Sequence, residues 1–404
     1  MKKINKRQIV DVVLRIERAL EILRRRRKII LLLLVVAAAA VFFLANRKNG
    51  MPGGGAGEDV GAVLSGEARD LGTAAQASLQ SEMSAEAVNI ARLLASLGHS
   101  QALNALRLSG EAPRGSIIFK VPGDFDTIQQ AIDAAISGDT VMVAAGTYKE
   151  NIVMKSGVSV VGEHAETTIL DGDKKGNVVV FKNISDKETR LENFSIKNAE
   201  TNLSGVLIEN SSPLINRNII FGNDYAIYIK GVSSPTIQRN ILEQNKAGVQ
   251  VFNLEKVEDS NPLILDNLIY ANKKGINLYN GRAVIEHNTI SYNGDYGLEA
   301  GATFGIYLTA SAAVIRNNII TDNGSCEICS GVYADDKSAD VELAYNDIWN
   351  NRNDFSCYGG CVLDATNFSE DPIFENGLLF DFRLKAESPL LGRGSDGQRL
   401  GARL

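Results

Sequence analysis

The chain has 404 residues, a formal charge of −6 and 45% hydrophobic residues. That length exceeds what one ordinary compact core accommodates, so a multi-part or repeat architecture is expected. The acidic balance excludes nucleic acid as the partner of the whole chain, because phosphate binding needs a basic surface.

Lys and Arg crowd the first 28 residues. Within them Ile9, Val13, Ile16, Leu20 and Leu23 recur at steps of 4 and 3, the apolar stripe of an amphipathic helix. The basic run Arg24 to Lys28 that ends the stripe suits anionic lipid headgroups. Ile29–Ala45 is then an unbroken apolar run, at the short end of the roughly 17–25 residues that span a bilayer. Only Arg47 and Lys48 follow it closely, so the positive-inside asymmetry places the N-terminus in the cytoplasm and the bulk outside. The expectation is a single-pass anchor in the inner (cytoplasmic) membrane, with the main domain periplasmic or extracellular. A cleaved signal peptide is the rival reading, with Ile29 to Val36 as its apolar region and Ala37-Ala38-Ala39 as its cleavage site. Export follows in both cases. Met51 to Gly57 reads as a flexible linker. Residues 67–108 read as an Ala-rich helical stalk with Leu79, Met83, Ile90, Leu94 and Leu97 on one face, and these N-terminal helices offer a surface for homo-oligomerisation.

The main domain is expected over residues 116–404. Asp126 to Ala135 reads as a short amphipathic helix in which Thr127 and Gln130 have capping-box spacing. A turn at Gly138-Asp139 leads into a strand at Thr140 to Val143. From Gly205 onward the sequence repeats itself. Asn recurs at 218, 240, 267, 288, 318 and 346, and a second Asn follows each five residues later, at 223, 245, 272, 293, 323 and 351. Three residues before each first Asn stands Ile215, Ile237, Ile264, Ile285, Ile315 or Leu343. Two residues after it stands Ile220, Leu242, Ile269, Ile290, Ile320 or Ile348. A period of about two dozen residues on short β-rich segments points to a solenoid. One coil cannot bury its own apolar face, so stacked coils pair every strand with its neighbours and line up the aliphatics inside. The Asn residues are then structural. Asn tolerates a left-handed backbone and bonds its counterpart in the next coil.

The segment Thr127 to Gly172 resembles the N-terminal cap and first coils of the pectin-lyase-like superfamily. The Asn-rich units resemble its parallel β-helix repeats. The tail with Asp371-Pro372-Ile373-Phe374, Asp381-Phe382-Arg383-Leu384 and Ser388-Pro389-Leu390-Leu391 is similar to the closing segment of many bacterial members. The resemblance covers roughly residues 116–404 and implies an all-β, right-handed parallel β-helix solenoid with an N-terminal helical cap. It says little about function, because the fold hosts lyases, hydrolases, esterases, epimerases and non-enzymes. The catalytic patterns of pectin methylesterases and polygalacturonases have no counterpart here. His287 falls just before a ladder Asn, at a position otherwise held by Arg217, Arg239, Asp266, Asn317 and Tyr345, which reads as an exposed corner rather than a general base.

The strand after each second Asn carries the candidate site. Strand side chains alternate faces, so the outward columns are Leu207, Tyr228, Gln250, Asn277, Tyr307, Tyr333 and Glu209, Lys230, Phe252, Tyr279, Thr309, Asp335. Tyr228, Phe252, Tyr279, Tyr307 and Tyr333 can stack on sugar rings, with Asp335 at the end of the face and Lys230 available to a carboxylate. The bland alternative is that these are good strand formers making cross-strand contacts. As an enzyme, the protein would be a polysaccharide lyase or glycoside hydrolase, with Lys230 and Tyr279 as the catalytic pair and Tyr228 as another candidate base. Asp295 and Glu299 sit on an insertion beside this face and could form a hydrolase pair. Glu209 and Asp335 lie at opposite ends of the ladder, which disfavours calcium, and neither a metal nor a cofactor is expected. Cys326, Cys329, Cys357 and Cys361 follow the same corner on successive coils. Outside the cytoplasm disulfides are the default, and a four-thiolate metal site is the alternative. The combined expectation is an exported protein that binds or processes an acidic polysaccharide. The alternative is a non-catalytic envelope scaffold or adhesin.

Overall fold

The computed structural model describes residues 116–404 except 185, 256–258, 295–302, 325, 328 and 404. The anchor Ile29–Ala45, the basic stripe, the linker, the stalk, Asp295 and Glu299 lie outside the described residues. No helix among the described residues is long and apolar enough to cross a membrane.

Each repeat unit contributes three short strands, one to each of three parallel sheets. In the unit at residues 214–230 these are Leu214–Asn216 in sheet A, Ile219–Phe221 in sheet B and Tyr225–Lys230 in sheet C. Among the described residues sheet A has eleven strands and sheets B and C nine each. Every strand pairs in register with its counterpart one unit away: Ile215 with Leu191 and Ile237, Ile220 with Ile196 and Leu242, Ile227 with Val206 and Val249. The aliphatics singled out by the repeat are the inner columns. Ile215, Ile237, Ile264, Ile285 and Ile315 are fully buried in one continuous core. Burying each such side chain stabilises by about 1.5–3 kcal/mol, so the solenoid holds together coil by coil.

The helix forms where the sequence placed it, over Ile128–Ala134. Thr127 Oγ1 accepts from Gln130 N at 3.2 Å. The other exposed helix donors are met by a residue the sequence did not suggest: Glu150 accepts from Ile128 N and Gln129 N. Ile128, Ala131, Ile132 and Ala134 face the core.

The Asn residues form two continuous ladders. Asn218 Nδ2 donates to Asn240 Oδ1, Asn240 to Asn267, Asn267 to Asn288, Asn288 to Asn318 and Asn318 to Asn346. The second ladder runs likewise from Asn223 to Asn351. Each Oδ1 also accepts the backbone N–H of the Asn below it, as Asn267 Oδ1 does for Asn240 N. The left-handed backbone is not theirs, however. It belongs to the residue before each ladder Asn: Arg217, Arg239, Asp266, His287, Asn317 and Tyr345 at the first corner, all with φ between 53° and 58°. The turn needs that conformation one residue earlier, so that the following amide points inward along the stack.

After the last coil the chain turns back over sheet B. An antiparallel pair, Phe374–Asn376 with Asp381–Leu384, lies in this return. Phe380 and Phe382 pack on Tyr270, and Leu390 and Leu400 bury against Ile319. Asn317 Nδ2 donates to Ser395 Oγ, and Arg403 pairs with Asp266. This return corrects the reading of His287. The side chain is buried, not exposed, with Nε2 3.3 Å from Asp396 of the returning segment. Burial holds its pKa below the usual histidine range, and the Arg403 charge adds to the effect.

Candidate functional site

The outer face of sheet C carries paired rings that run from coil to coil. Phe252 and Tyr279 are in register and stack at 4.9 Å and 19°. Tyr307 and Tyr333 stack at 5.0 Å and 13°. Both arrangements are in the range of favourable aromatic pairs. The columns expected from alternation are present, but most of the rings are half-buried because they lie on one another. Tyr279 is the most open of the five rings, at 40% exposure.

The two catalytic candidates fare differently. Lys230 is bound into an ion pair: its Nζ is 3.1 Å from Glu209, and Lys182 approaches the same carboxylate at 3.4 Å. The hydrogen bond from Lys230 holds the Glu209 carboxyl below its ordinary range. An ammonium held by a neighbouring carboxylate is poorly placed to take a proton. Tyr279 lies against Phe252 and makes no contact with Lys230 among the described residues. The Tyr228 phenol is pushed up by burial, and then by Tyr225, which disfavours it as a base. Asp335 lies past the strand end, where its Oδ1 accepts from Ala310 N, Lys337 N and Ser338 Oγ. That oxygen shapes a turn.

A third outward column was not expected. It contains Tyr225, Ala247, Lys274 and Phe304, in register with one another. Strict alternation from Ile276 and Leu278, both buried, assigns position 274 to the interior. The chain bends at Gly275, where a Cβ would meet Gly305 O at 2.5 Å, and the phase changes there. Lys274 Nζ instead lies 4.0 Å from the centre of the Tyr307 ring, on the outer face. Burial lowers its pKa, with a contribution from the Lys273 charge. Beside it, Asn277 Nδ2 donates to Gln250 Oε1 at 2.6 Å. Asn277 Oδ1 and Thr309 Oγ1 are buried on the same face with no hydrogen-bond partner among the described residues. Buried polar atoms are seldom left in that state. The sequence signal that could have revealed this column is the shared place of Tyr225, Ala247 and Lys274, each two residues after a ladder Asn.

Residues 156–303 and 204–377 match the model of the right handed beta helix region, which spans more than half the chain. The chain belongs to this β-helix family. No curated protein matches it. Among solved structures this β-helix is similar to pectate lyase Pel9A, with 15% identity and a TM-score of 0.52 over 72% of this chain and 96% of that one. It is also similar to the A-module of the Azotobacter vinelandii mannuronan C-5 epimerase AlgE4, with 17% identity and a TM-score of 0.41 over 61% and 81%. Carrot pectin methylesterase follows with 13% identity and a TM-score of 0.43 over 64% and 90%. At such identities the likeness is one of fold.

The cysteines of the β-helix form two disulfides, Cys326–Cys329 and Cys357–Cys361, each closed within its own loop. A four-thiolate site would need those four sulfurs free. Cys329 is buried, and its Sγ accepts from Thr303 N and Oγ1, tying the loop to the start of the strand Phe304–Thr309. These staples therefore flank the ring pair of Tyr307 and Tyr333.

Proposed function

We propose that this β-helix is an exported protein that binds and processes an acidic polysaccharide on the outer face of sheet C. The observation that carries this reading is Lys274, whose Nζ lies 4.0 Å from the centre of the Tyr307 ring on a face of stacked rings. The rings offer flat apolar surface to sugars. Burial lowers the Lys274 pKa, so this amine gives up its proton more readily than a free lysine and, once deprotonated, can act as a base. Lys230, held by Glu209, supplies positive charge to the same face.

The chemistry best suited to a lysine base beside an acidic sugar is β-elimination. The C–H bond next to the uronate carboxylate breaks and its proton passes to Lys274 Nζ. Its electron pair forms a carbon–carbon double bond as the bond to the leaving sugar oxygen breaks, and that oxygen takes a proton from solvent. The fold likeness to a pectate lyase agrees with this reading. Two disulfides suit an oxidising compartment, and hence export.

The test is incubation of the full chain with a panel of polyuronates, followed by mass spectrometry and ultraviolet absorbance of the products. Shortened chains with an unsaturated end, lost in Lys274→Ala but not in Lys230→Ala, are the expected result. Chains that gain water would replace elimination with hydrolysis. Unchanged polymers across the panel, with no retention on the protein, would sink the glycan reading.

A further inference from the structure

A second feature lies on the outer face of sheet B, away from the rings of sheet C. The returning C-terminal segment covers this face from Asp347, whose Oδ1 accepts from Glu370 N, to Thr289, whose Oγ1 accepts from Ala402 N. Arg403 then reaches Asp266 at 2.8 Å and Asp396 at 3.3 Å. Past that point a cleft of about 370 Å³ opens over Ile219 and Ile241, the outward aliphatics of their strands. Arg217, Arg239 and Arg403 line it, together with Glu163 and Glu166 from the loop after the strand Ser159–Gly162.

Arg217 and Arg239 are unusual residues for their positions. Both have φ of 54°. The next three coils fill that corner with Asp266, His287 and Asn317, residue types that enter the left-handed region more readily. Tyr345 fills the same corner, so the turn does not select the residue type; what sets Arg217 and Arg239 apart is that they repeat on consecutive coils at the edge of the cleft. Both side chains are exposed. Arg403 is neutralised by Asp266 and Asp396; Arg217 and Arg239 have no ion pair among the described residues.

We infer that this cleft binds a stretch of acidic polysaccharide, with sugar carboxylates on Arg217 and Arg239, as a second contact for the polymer handled on sheet C. The inference rests on the proposed function. Guanidinium groups match carboxylates as planar, two-pronged partners. The two arginines follow strands paired as Leu214 with Thr236 and Asn216 with Gln238, so they repeat along the axis by one coil, about 4.8 Å. A polyuronate repeats its carboxylates along its own axis in the same manner. Ile219 and Ile241 provide an apolar floor for a sugar ring, and the glutamate oxygens can accept from its hydroxyls.

The test is calorimetric titration of the full chain with hexagalacturonate at low and high salt. The variant Arg217→Asn/Arg239→Asn removes both charges and keeps a residue type that Asn317 shows the corner accepts. It is expected to bind at least tenfold more weakly and to lose most of the salt dependence. Arg217→Lys/Arg239→Lys, which keeps the charge and loses the fork, should fall between. Unchanged affinity and salt dependence in the Asn variant, with weakened binding in Tyr279→Ala/Tyr307→Ala, would overturn this inference and leave the sheet C reading standing. Equal, arginine-dependent binding of neutral maltohexaose would overturn the carboxylate assignment. Failure of the unaltered chain to bind any polyuronate oligomer would remove both readings together.

Discussion

The Asn ladders make a quantitative prediction at Asn267. Its side chain is fully buried in the middle of the stack. Nδ2 donates to Ile237 O at 2.9 Å and to Asn288 Oδ1 at 3.0 Å. Oδ1 accepts from Asn240 N and Asn240 Nδ2, both at 3.0 Å. Asn267→Ala removes all four bonds. Some of the former partners keep another contact: Asn240 Nδ2 still reaches Ile215 O and Gln238 O, and Asn288 Oδ1 still accepts from Asn267 N. Asn240 N–H loses its acceptor. At about 1 kcal/mol net for each bond, the loss comes to about 4 kcal/mol, consistent with one newly orphaned buried donor on top of weaker changes. Asn240→Ala should cost a similar amount. The double replacement should fall short of additivity by about 1 kcal/mol, because one side-chain bond is shared. Urea denaturation followed by far-ultraviolet circular dichroism measures all three. A cost below about 1 kcal/mol for Asn267→Ala would refute the assignment of these amides as structural.

Three further outcomes follow from the same geometry. Asp347 is buried, its Oδ2 has no partner among the described residues, and desolvation pushes its pKa up to about 7. Its protonated form is favoured by folding, so stability is fully present below pH ~4 and falls as pH rises to ~7. The span of roughly three pH units sets an upper bound of about 4 kcal/mol at 1.36 kcal/mol per unit. Asp347→Asn should flatten that slope and raise the melting temperature at pH 8; an unchanged slope would remove Asp347 as its cause. The two disulfides close only short loops, each contributing about 2 kcal/mol by chain entropy, so reduction with dithiothreitol should lower the melting temperature by several degrees without unfolding the protein. Loss of all β signal on reduction would contradict this. On the ligand side, Phe252→Ala or Tyr279→Ala should weaken polymer retention about tenfold, roughly 1.4 kcal/mol. Native gel retardation in polyuronate reads this directly, and undiminished retention would remove the pair from the site.

The inner columns and both ladders were legible because they depend on local spacing that repeats. Ile215 and Asn218 stand at the same offsets in every unit, and parallel in-register stacking turns equal offsets into contact. Three features were not legible, each for its own reason. The left-handed position falls on Arg217, Ala271 or Tyr345 as readily as on Asn317, so residue type gives no signal for it. The outward turn of Lys274 depends on a bend at Gly275 that breaks the alternation of the strand. The burial of His287 depends on a segment more than a hundred residues downstream, which periodicity within the repeats cannot reveal. Lys230 is an intermediate case. Glu209 precedes it in the same column, and in-register pairing brings the two charges together.

The choice of sheet C as the working face can be argued from all three faces. The outward residues of sheet A include Thr236, Gln238, Val284, Glu286 and Arg316, with no ring among those of its described strands. Sheet B does present rings, but Phe380 and Phe382 of the returning segment lie over Tyr270 and Tyr292. Part of what that segment leaves open is the arginine-lined cleft over Ile219 and Ile241. Sheet C keeps its rings uncovered by that segment and places a lysine of lowered pKa among them. A structural role alone requires rings that pack and polar atoms that are satisfied. Tyr307 and Tyr333 meet the first condition, while Asn277 Oδ1 and Thr309 Oγ1 fail the second. Asn277→Leu tests this column directly: it removes the hydrogen bond to Gln250 Oε1, at a cost of about 1 kcal/mol, and it should weaken polyuronate binding. Greater stability with unchanged binding would assign the mismatch to the coil itself and move the ligand away from Asn277.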